Sequence, residues 1–300
     1  MEDEKNYDKL NLAAEQLEAA LVLYIEPKDY ISASTLAGAA GEVFHQYLKL
    51  NKRKTMTKQV ADVFLKVGAT GVGINKVRSA LRDKSINFLK HRKPDAPLHI
   101  TLSAQKEARD NLLVAIVDYK EIFYGNQDLF IYAAAERLAR EFIRDAKKNL
   151  SNKKEKILYR DIAIQQLKQS IDLFLIGKYA AAITLSGAAD NILISLLETD
   201  GKKCFSKIIK EDTITESGEG KIRSKINDMF YINAIKHLDT LEDRYIKTDI
   251  LRSAWGAILK TLPNYKDFDN DSYNKSVEVS DFLRWLKKNL DPKIYHIDKI

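Results

Sequence analysis

Apolar residues recur at spacings of three and four along most of the chain, which is the spacing of residues on one face of an α-helix. Leu17, Leu21 and Tyr24 form one such stripe, and Leu167 and Ile171 begin a similar stripe in the second half. The pattern predicts helices near 8–25, 29–51, 56–66, 75–91, 103–123 and 128–149, and again near 158–176, 178–199, 203–210, 220–237, 246–262 and 275–290. The sequence therefore predicts an all-α fold.

Residues that begin and end helices stand at the borders of these ranges. Asp29 and Ser103 occupy positions where an N-cap is expected, because a short side chain there can accept from a free backbone N–H. Gly177 and Gly201 follow predicted helices, where a left-handed residue commonly ends the last turn. These four residues set the borders of the second, fifth, seventh and eighth predicted helices.

The closest approach to a strand pattern is the short stretch 98–102. Pro94 and Pro97 stand just before it, and proline favours an extended connection over a sheet ladder. The chain also has only 12 Gly and 5 Pro residues, which favours long regular elements. We therefore expect an extended loop over 98–102.

The chain repeats itself in the same order of blocks. Residues 34–43 align with 183–192, residues 73–79 with 218–224, and residues 86–91 with 232–237. The repeats predict two homologous helical bundles, 1–152 and 153–300, that pack as an internal pseudo-dimer, so further oligomerisation is not required. The small residues at 37–40 and 186–189 predict tight helix packing, with a ligand against the backbone as the alternative.

Composition and charge limit the classes of protein. Hydrophobic residues form 45% of the 300-residue chain, which excludes disorder. A single cysteine, Cys204, forms no internal disulfide, the first residues lack the apolar run of a signal peptide, and the densest apolar stretches, 21–25 and 112–117, are too short to span a bilayer. We therefore expect a cytoplasmic protein that does not enter a membrane.

Positive charge is concentrated in one segment of the first half. Residues 49–93 hold 13 Lys or Arg residues and only two acids, Asp62 and Asp83. Such an excess attracts phosphate groups, RNA or acidic proteins, although a solvated helix surface has the same composition. A glycine followed by basic residues also recurs at the start of a predicted helix, where backbone amides can bind anions. The candidate phosphate-binding residues are Lys76, Arg78, Lys90, Lys221, Arg223 and Lys236.

An Asn-x-x-x-His pattern occurs at matched positions of the two repeats. Asn87 and His91 would share one helix face, and so would Asn233 and His237. Histidine is the side chain best suited to acid–base chemistry near neutral pH, and a neighbouring amide can orient its ring. A histidine near a helix end can also serve only to cap carbonyl groups, so a structural role stays open.

The helical repeat with a late Asn-x-x-x-His helix resembles the HEPN superfamily. The resemblance implies a metal-independent ribonuclease without cofactors, acting in a bacterial defence or toxin setting, whose two motifs face each other across a dimer interface. It makes His91 and His237 the acid–base pair, with Asn87 and Asn233 orienting substrate or ring and Lys90 and Lys236 stabilising charge. The arginine that usually begins the family motif is replaced by Ile86 and Ile232.

That replacement supports an alternative function, a non-catalytic interaction module that binds RNA or an acidic protein partner. A sensor with a small-molecule pocket between helices is a third hypothesis that no residue selects. Glu42 and His45 have the Glu-x-x-His spacing of a bundle metal site, but Asn191 and Ile194 stand at the matching positions. The sequence therefore predicts no symmetric metal pair.

Overall fold

The computed structural model describes residues 4–56, 58, 89–123, 131, 133–134, 136–138, 140, 154–207 and 219–291, with 219–223 as backbone only. The described residues are mostly helical, with short strands between the helices. The predicted all-α class is confirmed at this level. Of the predicted helices, 56–66, 75–91, 128–149 and 203–210 lie largely or partly outside the described residues.

The first half contains long helices on either side of the charged segment. Its elements are β1 (Lys5–Asp8), α1 (Lys9–Ile25), α2 (Tyr30–Leu50), β2 (His99–Leu102) and α3 (Ala104–Ile122). Helix α2 packs against both α1 and α3. Its small and apolar residues are buried along nearly its whole length, so α2 is the central helix of this half.

The second half also begins with a strand and two long helices, and a second strand again precedes a further long helix. Its elements are β3 (Glu155–Leu158), α4 (Tyr159–Leu175), α5 (Tyr179–Thr199), α6 (Glu219–Met229), β4 (Tyr245–Thr248), α7 (Ile250–Phe268), α8 (Asn270–Lys275) and α9 (Val277–Asn289). Helix α5 packs against α4 and α7, as α2 packs against α1 and α3. By length and mean hydropathy of 1.6, α5 could cross a membrane, but 94% of its apolar window is buried within the protein. That burial is typical of a core helix.

The strands pair between the halves and not within them. Strand β1 is antiparallel to β4, with Lys5 opposite Thr248, and β2 is antiparallel to β3, with His99 opposite Leu158. The expectation of a loop over 98–102 is therefore wrong. Its residues form a ladder because a partner strand more than fifty residues away satisfies their backbone groups.

Buried glutamines also connect the halves. Gln16 of α1 donates from Nε2 to Thr184 Oγ1 in α5 over 2.9 Å, and Gln166 of α4 donates to Thr35 Oγ1 in α2 over 2.9 Å. Both glutamines are fully buried. A buried amide without a partner is costly, so these bonds fix how α1 and α4 lie against the central helix of the opposite half.

The helix borders follow capping chemistry. Asp29 accepts from the backbone N–H of Ser32 over 2.9 Å, whereas Ser103 occupies the N-cap position without a side-chain bond. Gly177 and Gly201 have positive φ angles of 82° and 67° immediately after α4 and α5, as predicted. The predicted range 246–262 is shifted, since α7 starts at Ile250 and continues past its internal proline to Phe268, with Asn264 and Tyr265 still buried.

Candidate functional site

The segment that carries Asn233 and His237 is not helical. Helix α6 ends at Met229, and Tyr231 then adopts a left-handed conformation with φ of 53°. The N–H of Ile232 donates to the carbonyl of Asn227 over 2.9 Å, which closes a Schellman-type end. The predicted helix over 220–237 is therefore wrong beyond Met229. Its Asn and His do not share a helix face, because residues 230–236 form consecutive turns.

These turns pack closely against α5. A Cβ atom on Gly187 would lie 2.5 Å from Ile232 Cγ2 and 3.1 Å from Lys236 Nζ. No larger side chain fits there without displacing the turn. The prediction that the small-residue cluster serves tight packing is confirmed at Gly187, whose space is taken by the protein's own chain.

His237 lies beside the central helix of the first half. Its Nδ1 is 3.1 Å from Oε1 of Glu42 in α2, and 47% of the side chain is exposed. The ammonium of Lys9 in α1 donates to the carbonyl oxygen of His237 over 2.9 Å. The first half therefore holds both the side chain and the backbone of His237.

His91 lies beside the central helix of the second half. It follows Leu89 and Lys90, which end a helix, and its side chain is exposed. Its Nδ1 is 3.3 Å from Nδ2 of Asn191 in α5. Glu42 and Asn191 stand at matching positions of the aligned blocks 34–43 and 183–192. Each histidine therefore contacts the equivalent position of the opposite half.

The lysines that precede the histidines are buried. Lys90 is 6% exposed and Lys236 is 7% exposed, so neither is the solvent-facing phosphate contact that the sequence predicts. The pKa of Lys236 is lowered to about 7, first by burial and then by the charges of Lys90 and Lys260, against the opposite effect of Glu42 and Asp190. The influence of Lys90 means that the residues next to the two histidines approach each other across the halves.

A second buried lysine, Lys260, forms a hydrogen-bond network close enough to influence Lys236. Lys260 of α7 donates to Asp190 Oδ2 over 2.5 Å and to Asn227 Oδ1 over 2.7 Å. Asn264 donates to the other oxygen of Asp190 over 2.7 Å. Asp190 is thereby engaged on both oxygens. Within the described residues, Lys236 forms no ion pair, whereas Lys260 does.

For several predicted residues the structure gives no side-chain contact with these groups or does not describe the side chain. Asn87, Lys76 and Arg78 lie outside the described residues. Lys221 and Arg223 lie in α6, where the structure gives the backbone alone. Asn233 is exposed in the turn that leads to His237. The described part of the site therefore consists of the two histidines, their partners and the buried lysines.

The basic residue next to His91 has a structural role. Arg92 is buried and donates to Ser195 Oγ over 3.1 Å and to Thr199 Oγ1 over 2.8 Å, both in α5. Its guanidinium therefore joins the halves and does not replace the motif arginine.

The Glu-x-x-His pair of α2 is divided between two partners. Glu42 contacts His237, whereas His45 is buried and its Nδ1 lies 3.8 Å from Asp118 Oδ2. Across the described ranges, no group of three or more His, Cys, Asp or Glu side chains is placed to hold a metal ion.

Sequence reasoning did not assign Glu42 and Asn191 to the site. Their matched positions in the repeat were visible, but the facing histidines are more than ninety residues away along the chain. In comparisons with family models, curated proteins and solved structures, none matched the chain.

Proposed function

We propose that the halves are repeats of one helical module and that they pack as an internal pseudo-dimer. The aligned sequence blocks support this, and so does the reciprocity of the contacts. Strand β1 pairs with β4 while β2 pairs with β3, and Gln16 bonds Thr184 while Gln166 bonds Thr35. A twofold relation between equal modules produces such paired contacts, because each surface meets the equivalent surface of the other copy.

We further propose that the pseudo-dimer is a HEPN-like, metal-independent ribonuclease. The observation that carries the proposal is the pair of exposed histidines, one from each half, each held through Nδ1 by a polar side chain of the other half. A polar contact at Nδ1 fixes the orientation of each ring, and general acid–base catalysis requires such a positioned imidazole.

The reaction that suits this pair is transfer of the RNA phosphoryl group to its own 2′-oxygen. One imidazole takes the proton of the 2′-hydroxyl as that oxygen bonds to phosphorus. The bond from phosphorus to the 5′-oxygen then breaks, and the other imidazole, as the acid of the pair, gives a proton to that oxygen. The products are a 2′,3′-cyclic phosphate and a 5′-hydroxyl end. At or below about pH 7 the ammonium of Lys236 adds positive potential near the histidines.

The test is cleavage of total RNA by the purified full chain in EDTA, with the product ends determined by mass spectrometry. The proposal expects cyclic phosphate and 5′-hydroxyl ends, and a loss of about 10²–10⁴-fold in rate in His91→Ala and His237→Ala. Cleavage that survives in both variants would show a contaminating nuclease and contradict the proposal.

A non-catalytic binding module is the second candidate. The specific observation in its favour is that Ile232 fills the position of the motif arginine and is buried against Gly187. In the same experiment, salt-dependent RNA binding without any cleavage supports this candidate, because phosphate contacts weaken as salt rises. Absence of both binding and cleavage at low salt contradicts both RNA functions and leaves an acidic protein as the partner.

A further inference from the structure

The two histidines of the proposed site have chemically different partners. His237 Nδ1 faces Oε1 of Glu42 at 3.1 Å, and His91 Nδ1 faces Nδ2 of Asn191 at 3.3 Å. An ionised carboxylate only accepts hydrogen bonds, whereas the nitrogen of a side-chain amide only donates them. The same ring atom therefore donates in His237 and accepts in His91.

This difference sets the tautomer of each neutral ring. A neutral imidazole carries one proton, so the Nδ1–H of His237 leaves a lone pair on Nε2. His91 accepts at Nδ1 and carries its proton on Nε2. A ring with a lone pair on Nε2 is a base there, whereas a neutral ring with Nε2–H is a hydrogen-bond donor and a very weak acid.

We infer that Glu42 and Asn191 are positioning residues that give the histidines unequal roles, His237 as the base and His91 as a neutral hydrogen-bond donor to the phosphate. The inference rests on the proposed ribonuclease function and replaces the equal acid–base pair by one base and one hydrogen-bond donor. Glu42 and Asn191, one on each central helix, impose these different roles.

The proton balance of the step follows from these roles. His237 Nε2 takes the proton of the 2′-hydroxyl, while its Nδ1–H continues to donate to Oε1 of Glu42. His91 donates its Nε2–H to a non-bridging phosphate oxygen and keeps the proton. The departing 5′-oxygen takes a proton from water, and the hydroxide that remains takes the proton from His237. No electrons are exchanged with any other group.

The test that needs no RNA is a long-range proton–nitrogen NMR spectrum of the full chain labelled with ¹⁵N-histidine, recorded at pH 8. We expect the Nδ1–H tautomer at His237 and the Nε2–H tautomer at His91. Asn191→Asp places an acceptor against His91 and should convert it to the Nδ1–H tautomer, while His237 stays unchanged as the internal control. The same tautomer at both wild-type rings, or no change at His91 in the variant, overturns the inference.

A substrate with sulfur in place of the scissile 5′-oxygen tests the role of His91 by kinetics. A thiolate leaves without a proton, so this RNA restores cleavage in a variant that lacks a general acid. His91→Ala should lose about 10²–10³-fold on ordinary RNA, as expected for a lost oxyanion donor, and the loss should persist on the sulfur substrate. Rescue by sulfur would make His91 an acid and overturn the inference. Correct tautomers in a chain that cleaves no RNA would refute the ribonuclease and leave the positioning by Glu42 and Asn191 intact.

Discussion

Lys236 is the residue whose chemistry depends most on the fold. It belongs to the turn that leads to His237, its amine lies close to Gly187, and it is exposed to the charge of Lys90. Desolvation penalises the ammonium, and the like charges of Lys90 and Lys260 add to that penalty. The stability of the junction between the halves therefore depends on the protonation of this one amine.

The free energy of unfolding should rise with pH between about 7 and 10.5. Lys236 has a pKa near 7 in the folded chain and an ordinary value of 10.5, so in this window the unfolded chain binds more protons. Below pH 7 both states are protonated and the folded protein carries the full penalty. Above 10.5 both are neutral and the penalty is absent. Urea unfolding at several pH values measures this rise.

Lys236→Met removes the amine and should flatten that pH dependence, since methionine fills similar space without charge. Lys288→Met is the matched control, because Lys288 is exposed on α9 and its replacement should leave the slope as in the wild type. A wild-type slope in Lys236→Met would contradict the role assigned to this lysine.

At this scale the sequence singles out His91 and His237 as candidates but does not reveal their surroundings. The repeat made His91 and His237 equivalent, and their exposure agrees with a site. The burial of Lys90 and Lys236 was not visible, because Lys236 is buried by a turn that packs on α5. Contacts of that kind depend on residues distant along the chain.

Helix ends are the elements in which the two halves can be compared directly. Lys52 after α2 and Gly201 after α5 stand at matching positions, and both have left-handed backbones, with φ of 56° and 67°. In each case the backbone N–H of the next residue donates to a carbonyl of the last helical turns. Arg53 donates to the carbonyl of Leu48 and Lys202 to the carbonyl of Leu197, both over 2.8 Å. The same cap is thus built once with lysine and once with glycine.

Lys52→Gly should stabilise the protein by about 0.5–1 kcal/mol, because glycine relieves the left-handed strain of a residue with a Cβ atom. Gly201→Ala should destabilise it by about 1 kcal/mol for the opposite reason. Thermal unfolding of the pair measures both effects. Equal midpoints in the two variants would contradict the shared cap.

The helices were predictable where local signals agreed with burial. The borders of α1, α2, α4 and α5 fall within one residue of the prediction, since apolar spacing and cap residues coincide there. The predicted loop over 98–102 is wrong because the partner strand, Glu155–Leu158, pairs with His99–Leu102, and no local pattern reveals that pairing. The predicted end of α6 at residue 237 is wrong because the left-handed residue that follows this helix is Tyr231, and not the glycine that usually marks a helix end.

At the scale of the whole molecule, the halves are joined by exchanged strands and buried polar bonds. Asp8 before α1 receives a bidentate contact from Arg244, with Arg244 Nη2 to Asp8 Oδ2 at 2.6 Å. Arg92 makes a comparable contact from the first half to α5. Such connections make independent unfolding of either half unfavourable, so we expect one cooperative transition.

Tryptophan fluorescence, which comes from the second half, should report a destabilising substitution in the first half. Both tryptophans, Trp255 and Trp285, lie in the second half. Leu36 and Leu185 are fully buried and occupy matching positions in α2 and α5. Leu36→Ala should lower the fluorescence midpoint of urea unfolding as much as the far-UV circular dichroism midpoint, with a loss of about 2–5 kcal/mol.

Leu185→Ala is the matched variant, and both probes should again move together. A fluorescence midpoint that stays at the wild-type value in Leu36→Ala, while circular dichroism shows a separate early transition, would mean that the halves unfold independently.

The central claim is that His91 and His237 belong to one RNA-cleaving site built from both halves. The most direct test compares single-turnover cleavage of one RNA in EDTA by the wild type, His91→Ala, His237→Ala and the double variant. Groups that act as a unit are non-additive, so each single variant should lose at least about 10²-fold and the double variant little more than the slower single one. Two single variants that each keep about half of the wild-type rate would indicate separate sites, and equal rates in all four proteins would indicate no site at all.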